Sequence, residues 1–192
     1  RNDTFQGSAG PVPVRMMNGD GTFRYAFSSE FEAVELPYGN TAFVMTILMP
    51  APGRDIDAFV ASLDAGSWDQ IVNGMGLGRL FVALPKFRIE YEKQLNDVLE
   101  ALGMPTAFIP RAADFTPMSA AAGRDLYITE VLHKTFVDVN EEGTEAAAVT
   151  KVGVGVVSAP PSIRVDRPFV FAIRERFSGT ILFIGKIVNP GA

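Results

Sequence analysis

A chain of 192 residues with 47% hydrophobic and 20% charged residues has the composition of one globular domain with a sizeable core. Its 22 acidic and 17 basic residues leave a formal charge of −5, so the chain lacks the positive field that attracts nucleic acid or an anionic membrane, and neither is expected as a partner. Zero cysteines exclude thiolate metal sites, cysteine nucleophiles and disulfides. The single histidine, His133, excludes multi-histidine metal centres and leaves a Ser-His-Asp arrangement possible only through that residue.

The runs Tyr25–Phe27, Phe31–Pro37 and Phe43–Met49 are short and β-rich, and the breaks at Ser28-Ser29 and Tyr38-Gly39-Asn40 predict an antiparallel meander. The apolar run Ala42–Met49 stops at Pro50, well short of the roughly 20 residues a membrane helix requires, so a soluble chain is expected. Ile56, Phe59, Val60 and Leu63 recur at helical spacing within Asp55–Leu63, and Leu95, Val98, Leu99 and Leu102 do so within Gln94–Leu102, ahead of Gly103. Both segments predict amphipathic helices packed on other elements. Leu80–Glu90, Leu126–Asn140, Ile163–Arg176 and Thr180–Val188 read as strands, the last two joined by a turn at Phe177-Ser178-Gly179. No internal repeat is visible. The predicted class is α+β, with mostly antiparallel sheets and covering helices.

The segment Glu141–Ser162 departs from this pattern. It exceeds the roughly 12 to 15 residues of an ordinary connection, and it is apolar for exposed chain. Every second residue from Thr144 is uncharged: Thr144, Ala146, Ala148, Thr150, Val152, Val154 and Val156. The alternate positions carry Glu145 and Lys151, which predicts a strand with one buried and one wet face. Pro160-Pro161 closes the segment, and a paired strand, an exposed loop and a loop that later becomes a strand all fit.

The run from Val131 to Ala148, VLHKTFVDVNEEGTEAAA, and the run from Ile163 to Ile173, IRVDRPFVFAI, resemble the serpins, inhibitors that trap serine proteases by inserting a cleaved loop into a β-sheet. Val34-Glu35-Leu36-Pro37-Tyr38, Leu84-Pro85-Lys86-Phe87 and Ala113–Met118 fall in the order that resemblance requires. It covers essentially the whole chain and implies the C-terminal part of a single serpin domain, residues 1–192, with only part of the large sheet and with the two smaller sheets nearly complete. The chain starts at Arg1 without Met, and any signal peptide is expected to have been removed or to lie upstream of that start.

The resemblance further implies a reactive loop at about 141–162 and a hinge of Glu141, Glu142, Gly143, Thr144, Glu145, Ala146, Ala147 and Ala148. In that hinge Gly143 would supply backbone freedom, and the alanines would supply small volume for insertion. Counting back from the prolines places the reactive bond at Val157-Ser158, with Val156 the alternative one residue away. A small β-branched side chain at the attacked carbonyl suits elastase- or subtilisin-like target proteases and suits poorly a pocket built for Lys or Arg. Lys86 and His133 are implied at the sheet-opening region, with Lys86 and Glu141 as a pair at the top of the sheet and His133 as a hydrogen-bonded core residue at its centre. The expectation is thus a serine protease inhibitor: no enzyme, without cofactor or metal, extracellular, monomeric at full length. A non-inhibitory carrier or structural protein that uses the loop for partner contacts is the alternative.

Overall fold

Period-two burial dominates the chain, and a computed structural model, which describes residues 1–141 and 160–190, shows how it is used. Two units are distinguished: one contains 1–88 together with the chain from Asp138 onward, and the other is Ile89–Val137.

The first unit is built on an eight-stranded sheet. Strands β1 (Asn2–Gly7) and β2 (Gly10–Phe27) form a hairpin, and β3 (Phe31–Tyr38) and β4 (Phe43–Pro50) continue it as the expected antiparallel meander. Strands β9 (Phe169–Glu175) and β10 (Ile181–Ile187) extend the sheet beyond β4, so β9 lies between β4 and β10. On the other side, β5 (Gly76–Pro85) pairs with β2, and β8 (Ser162–Arg164) pairs with β5 in parallel. The expected class, α+β with mostly antiparallel sheets, therefore holds.

Helices α1 (Ile56–Ala61) and α2 (Ala65–Gly74) cover one face of β3, β4 and β9. Ile56, Phe59 and Met75 meet Ala33, Leu48 and Val170 there. Asp55 caps α1 through Ala58 N–H, and Asp64 and Ser67 form a reciprocal capping box on α2. Alternation along β9 sends Phe169 and Phe171 to the opposite face, where the Phe87 ring lies 5.7 and 5.5 Å from theirs and Phe5 stands edge-on to Phe169 at 6.3 Å. Both faces of β9 are thereby buried. Gly185 of β10 lies opposite Phe171, and a Cβ there would come within 2.6 Å of that ring, so the close approach requires glycine.

Several sequence expectations are revised. The run Leu80–Glu90 is two strands, β5 and β6 (Phe87–Gln94), because Pro85 offers no N–H to continue the ladder and Lys86 instead donates its own to the Arg15 carbonyl at 2.8 Å. Ile163–Arg176 divides likewise at Asp166-Arg167-Pro168, where Arg167 Nε donates to the Pro50 carbonyl at 2.9 Å. Strand β1, the N-terminal part of β2 and helix α2 were not anticipated.

The second unit holds most of β6 and of β7 (Leu132–Val139), which form a two-stranded sheet. Before β7, residues 126–131 are not strand, since Ile128 N–H donates to Ala107 and Val131 N–H to the Asn96 side chain. Helix α3 (Asn96–Ala101) has the expected spacing but buries no residue, with Leu95 and Leu99 half-buried and Val98 and Leu102 exposed. The expectation that both helices pack on something holds for α1 on the sheet, while α3 meets the short helical turn Pro105–Phe108.

Candidate functional site

Two anchors flank residues 142–159, and both involve β5 or its immediate continuation. At the first, β7 ends at Val139 and delivers Glu141 to Lys86, the residue between β5 and β6, where ammonium and carboxylate form an ion pair. The hydrogen bond from Lys86, aided by its charge and by Arg15 farther off, holds the Glu141 carboxyl below the ordinary carboxylate range. Glu141 is 60% exposed in this pair and Lys86 27%, so water and salt weaken it. A cleft of about 430 Å³ opens beside the pair, lined by Val14, Arg15, Lys86, Arg88, Asp138 and Val139 among others.

At the second anchor, Phe81 N–H donates to the Pro161 carbonyl at 3.0 Å, and Val165 N–H donates to Ala83 at 2.8 Å. The parallel register sets Ser162 beside Phe81 and Arg164 beside Ala83. Ile163 is buried and Arg164 pairs with Asp3 and Asp166, so this end is fixed by a ladder, an apolar side chain and ion pairs together.

His133, expected as a core residue at the centre of the large sheet, has only part of that sheet around it in this chain. It is exposed, because β7 has β6 on one edge and no second partner strand among the described residues. Its Nε2 lies 2.7 Å from the Thr135 hydroxyl two residues along the same face, and the Tyr91 ring stands edge-on with its centroid 6.3 Å from the imidazole. That environment holds a hydroxyl and an aromatic edge, which does not build a Ser-His-Asp geometry. Of the expected site residues, Lys86 and Glu141 are brought together and His133 is not with them. Glu142, Gly143, Thr144, Glu145, Ala146, Ala147, Ala148, Val157 and Ser158 lie outside the described residues.

One polar cluster escaped sequence reasoning. Glu35 of β3 is 3% exposed and receives Arg24 of β2 at 3.1 Å and Arg174 of β9, which is itself buried and donates through Nε to Thr46 of β4 at 3.1 Å. Arg24 also donates to the Val72 and Met75 carbonyls at 2.8 and 3.3 Å, satisfying acceptors at the end of α2. Four strands are thereby cross-linked on the helix-covered face. Register was the available signal: Arg24, Glu35 and Thr46 are directly paired across β2, β3 and β4.

The family model described as Serpin (serine protease inhibitor) matches residues 1–190. A serpin-like protein of Thermococcus kodakarensis is 41% identical over 99% of this chain and 45% of its own length, and a serine protease inhibitor of Cyanea capillata is 36% identical over 100% and 52%. Among solved structures, the thermophilic serpin tengpin in its native state superposes with a TM-score of 0.79 at 29% identity over 98% of this chain and 50% of its own. The mouse protein Z-dependent protease inhibitor gives a TM-score of 0.81 at 29% identity over 99% and 49%. The chain spans about half the length of the relatives it matches.

Proposed function

The chain belongs to the serpin family, and from that premise we propose that it is the C-terminal part of a single inhibitory serpin domain, with its reactive loop at about 141–162 and Val157-Ser158 as the bond offered to the protease. The observation that carries this reading is the pair of anchors. Glu141 is held at Lys86 and Pro161 at Phe81, only five positions apart along one stretch of chain, or about 17 Å. The intervening residues 142–159 could reach about 60 Å if extended, so the tethers leave ample slack for a protease to engage the segment.

Attack by the protease serine on the Val157 carbonyl forms an acyl ester and releases the amine of Ser158. The freed segment then inserts as a strand, with Thr144, Ala146, Ala148, Thr150, Val152, Val154 and Val156 facing inward. Small or β-branched uncharged side chains on that parity support this reading, since a charge there would be buried without a partner. Elastase- or subtilisin-like enzymes fit the Val157 side chain, and an extracellular monomer that needs no cofactor fits the inhibitor role.

The test is a gel assay for an SDS-stable complex between the complete protein and such a protease. Trapped complex supports inhibition, and binding without any covalent species favours the carrier reading. The 192-residue chain alone is expected to be cleaved as a substrate, with the released C-terminal peptide starting at Ser158. A start at Val157 moves the bond by one residue. Stable trapping by this chain alone would overturn the view that it holds only part of the accepting sheet.

A further inference from the structure

Asparagine stands directly before glycine twice in this sequence, at Asn18-Gly19 and at Asn73-Gly74. In that dipeptide the glycine backbone nitrogen can attack the asparagine side-chain amide, because no Cβ crowds the approach and the glycine backbone turns freely. The fold holds the two copies differently. Asn18 and Gly19 lie in the antiparallel ladder of β2 with β5, opposite Ala83 and Val82, so the movement needed for attack would break pairing in the sheet. Asn73 and Gly74 are the last two residues of α2, where backbone bonding is weakest. The closing bond there, from Met75 N–H to the Val72 carbonyl, is 3.4 Å long, beyond the usual range. A Cβ built on Gly74 meets no described atom within 4 Å, so its neighbours leave room around the reacting atoms.

A side chain from the sheet braces this end of α2. Arg24 Nη2 donates to the Val72 carbonyl at 2.8 Å and to the Met75 carbonyl at 3.3 Å, one acceptor on each side of Asn73-Gly74, while Nη1 reaches Glu35 at 3.1 Å. The guanidinium thus spans the turn that must rotate before Gly74 N reaches Asn73 Cγ, since the ring through those atoms closes only when Asn73 leaves helical backbone. We propose that Asn73-Gly74 is a self-modifying site that deamidates without an enzyme, and that Arg24 sets its rate by bracing the turn. In the step, Gly74 N gives its proton to hydroxide and bonds to Asn73 Cγ, and the side-chain nitrogen leaves as ammonia. Water then opens the five-membered imide at either carbonyl, giving aspartate or isoaspartate at position 73. Isoaspartate adds one carbon to the main chain between the two carbonyls that Arg24 bridges, so both hydrogen bonds cannot keep their present spacing. A brace that opposes the product is weakened by it in return. The attack is intramolecular and needs a moving turn, not an open face.

The experiment ages the complete protein, beside the 192-residue chain, in mildly alkaline buffer and follows both Asn-Gly peptides by mass spectrometry, with isoaspartate read by enzymatic methyl labelling. The Asn73 peptide should deamidate while the Asn18 peptide stays intact, and in urea the two rates should converge. Gly74→Ala, which the space around Gly74 accommodates, should suppress the reaction. Arg24→Met should speed it about tenfold, the effect of losing a hydrogen bond from a charged donor. Arg24→Lys keeps the charge facing Glu35 but cannot span both carbonyls, so it should give a smaller acceleration and serves as the measure if the methionine variant fails to fold. The deamidated fraction, separated by its extra negative charge, should unfold at lower urea than the parent. Asn18 and Asn73 reacting equally in the folded protein, or Asn73 intact in the complete protein, would overturn the site. Arg24 variants that deamidate no faster than the parent, or a deamidated fraction with an unchanged midpoint, would overturn the brace.

Discussion

Replacing Glu35 by leucine removes the acceptor shared by Arg24 and Arg174. The two guanidiniums should respond differently. Arg24 is 24% exposed and keeps the Val72 and Met75 carbonyls, so its loss falls near the roughly 0 to 1 kcal/mol of a surface ion pair. Arg174 is 4% exposed and retains only Thr46 as a described partner, which leaves an uncompensated buried charge on β9 at a cost of about 3–5 kcal/mol. That is a large fraction of the roughly 5–15 kcal/mol by which domains are stable. Urea unfolding should show the midpoint falling with little change in slope. The double variant Glu35→Leu with Arg174→Leu removes the stranded charge and should recover most of the loss. A single variant within about 1 kcal/mol of the parent, or a double variant no better than the single, would refute the claim that Arg174 depends on Glu35.

The Lys86 contact lowers the Glu141 pKa, so the ion pair is present above the ordinary carboxylate range and is lost as pH falls through the depressed value. Lys86→Met should return the Glu141 titration, followed by NMR, toward that range, and an unchanged titration would deny the pairing. Gly185→Ala should destabilise the chain by about 1–3 kcal/mol in urea, because the added methyl meets the Phe171 ring, and the loss should shrink when Phe171→Leu is also present. In the complete protein, Thr144→Arg should convert inhibitor into substrate, read as cleaved protein in place of SDS-stable complex, since insertion would bury the charge. Val157→Arg should shift cleavage from elastase-like to trypsin-like enzymes, measured by their relative rates.

Local patterns were legible where one physical rule acted alone. The meander from Phe31 to Pro50 has clean strand runs broken by turn residues, and the Asp55 cap precedes regular apolar spacing in α1. Strand β2 was legible only at its end, because Pro11, Pro13, Gly19 and Gly21 read as turn chemistry. Their place is permitted by the hairpin with β1 and by the long antiparallel ladder to β5, neither of which leaves a local trace. Helix α2 was signalled by Asp64-x-x-Ser67 and by the spacing of Trp68, Ile71 and Val72, but it is short and the predicted helix stopped at Leu63, just before its cap. For the site, Lys86 and Glu141 came from family resemblance, not spacing, since no periodicity links residues that far apart. The Arg24–Glu35–Arg174 cluster depends on strand order, which only the fold supplies.

The position of β9 between β4 and β10 has a consequence for a nicked molecule. A cut at Val157-Ser158 divides the covalent chain, yet the downstream piece contributes β8, β9 and β10, and β9 is laced to β4 from Val170 to Glu175 while Phe169 and Phe171 are locked under Phe87. The β9–β10 ladder travels with that piece, but to leave it must break the β9–β4 and β8–β5 ladders and expose the core on both faces of β9 at once. Departure therefore requires the core beneath β9 to open, so a nicked protein should run as one particle by size-exclusion chromatography and separate into two chains in denaturant.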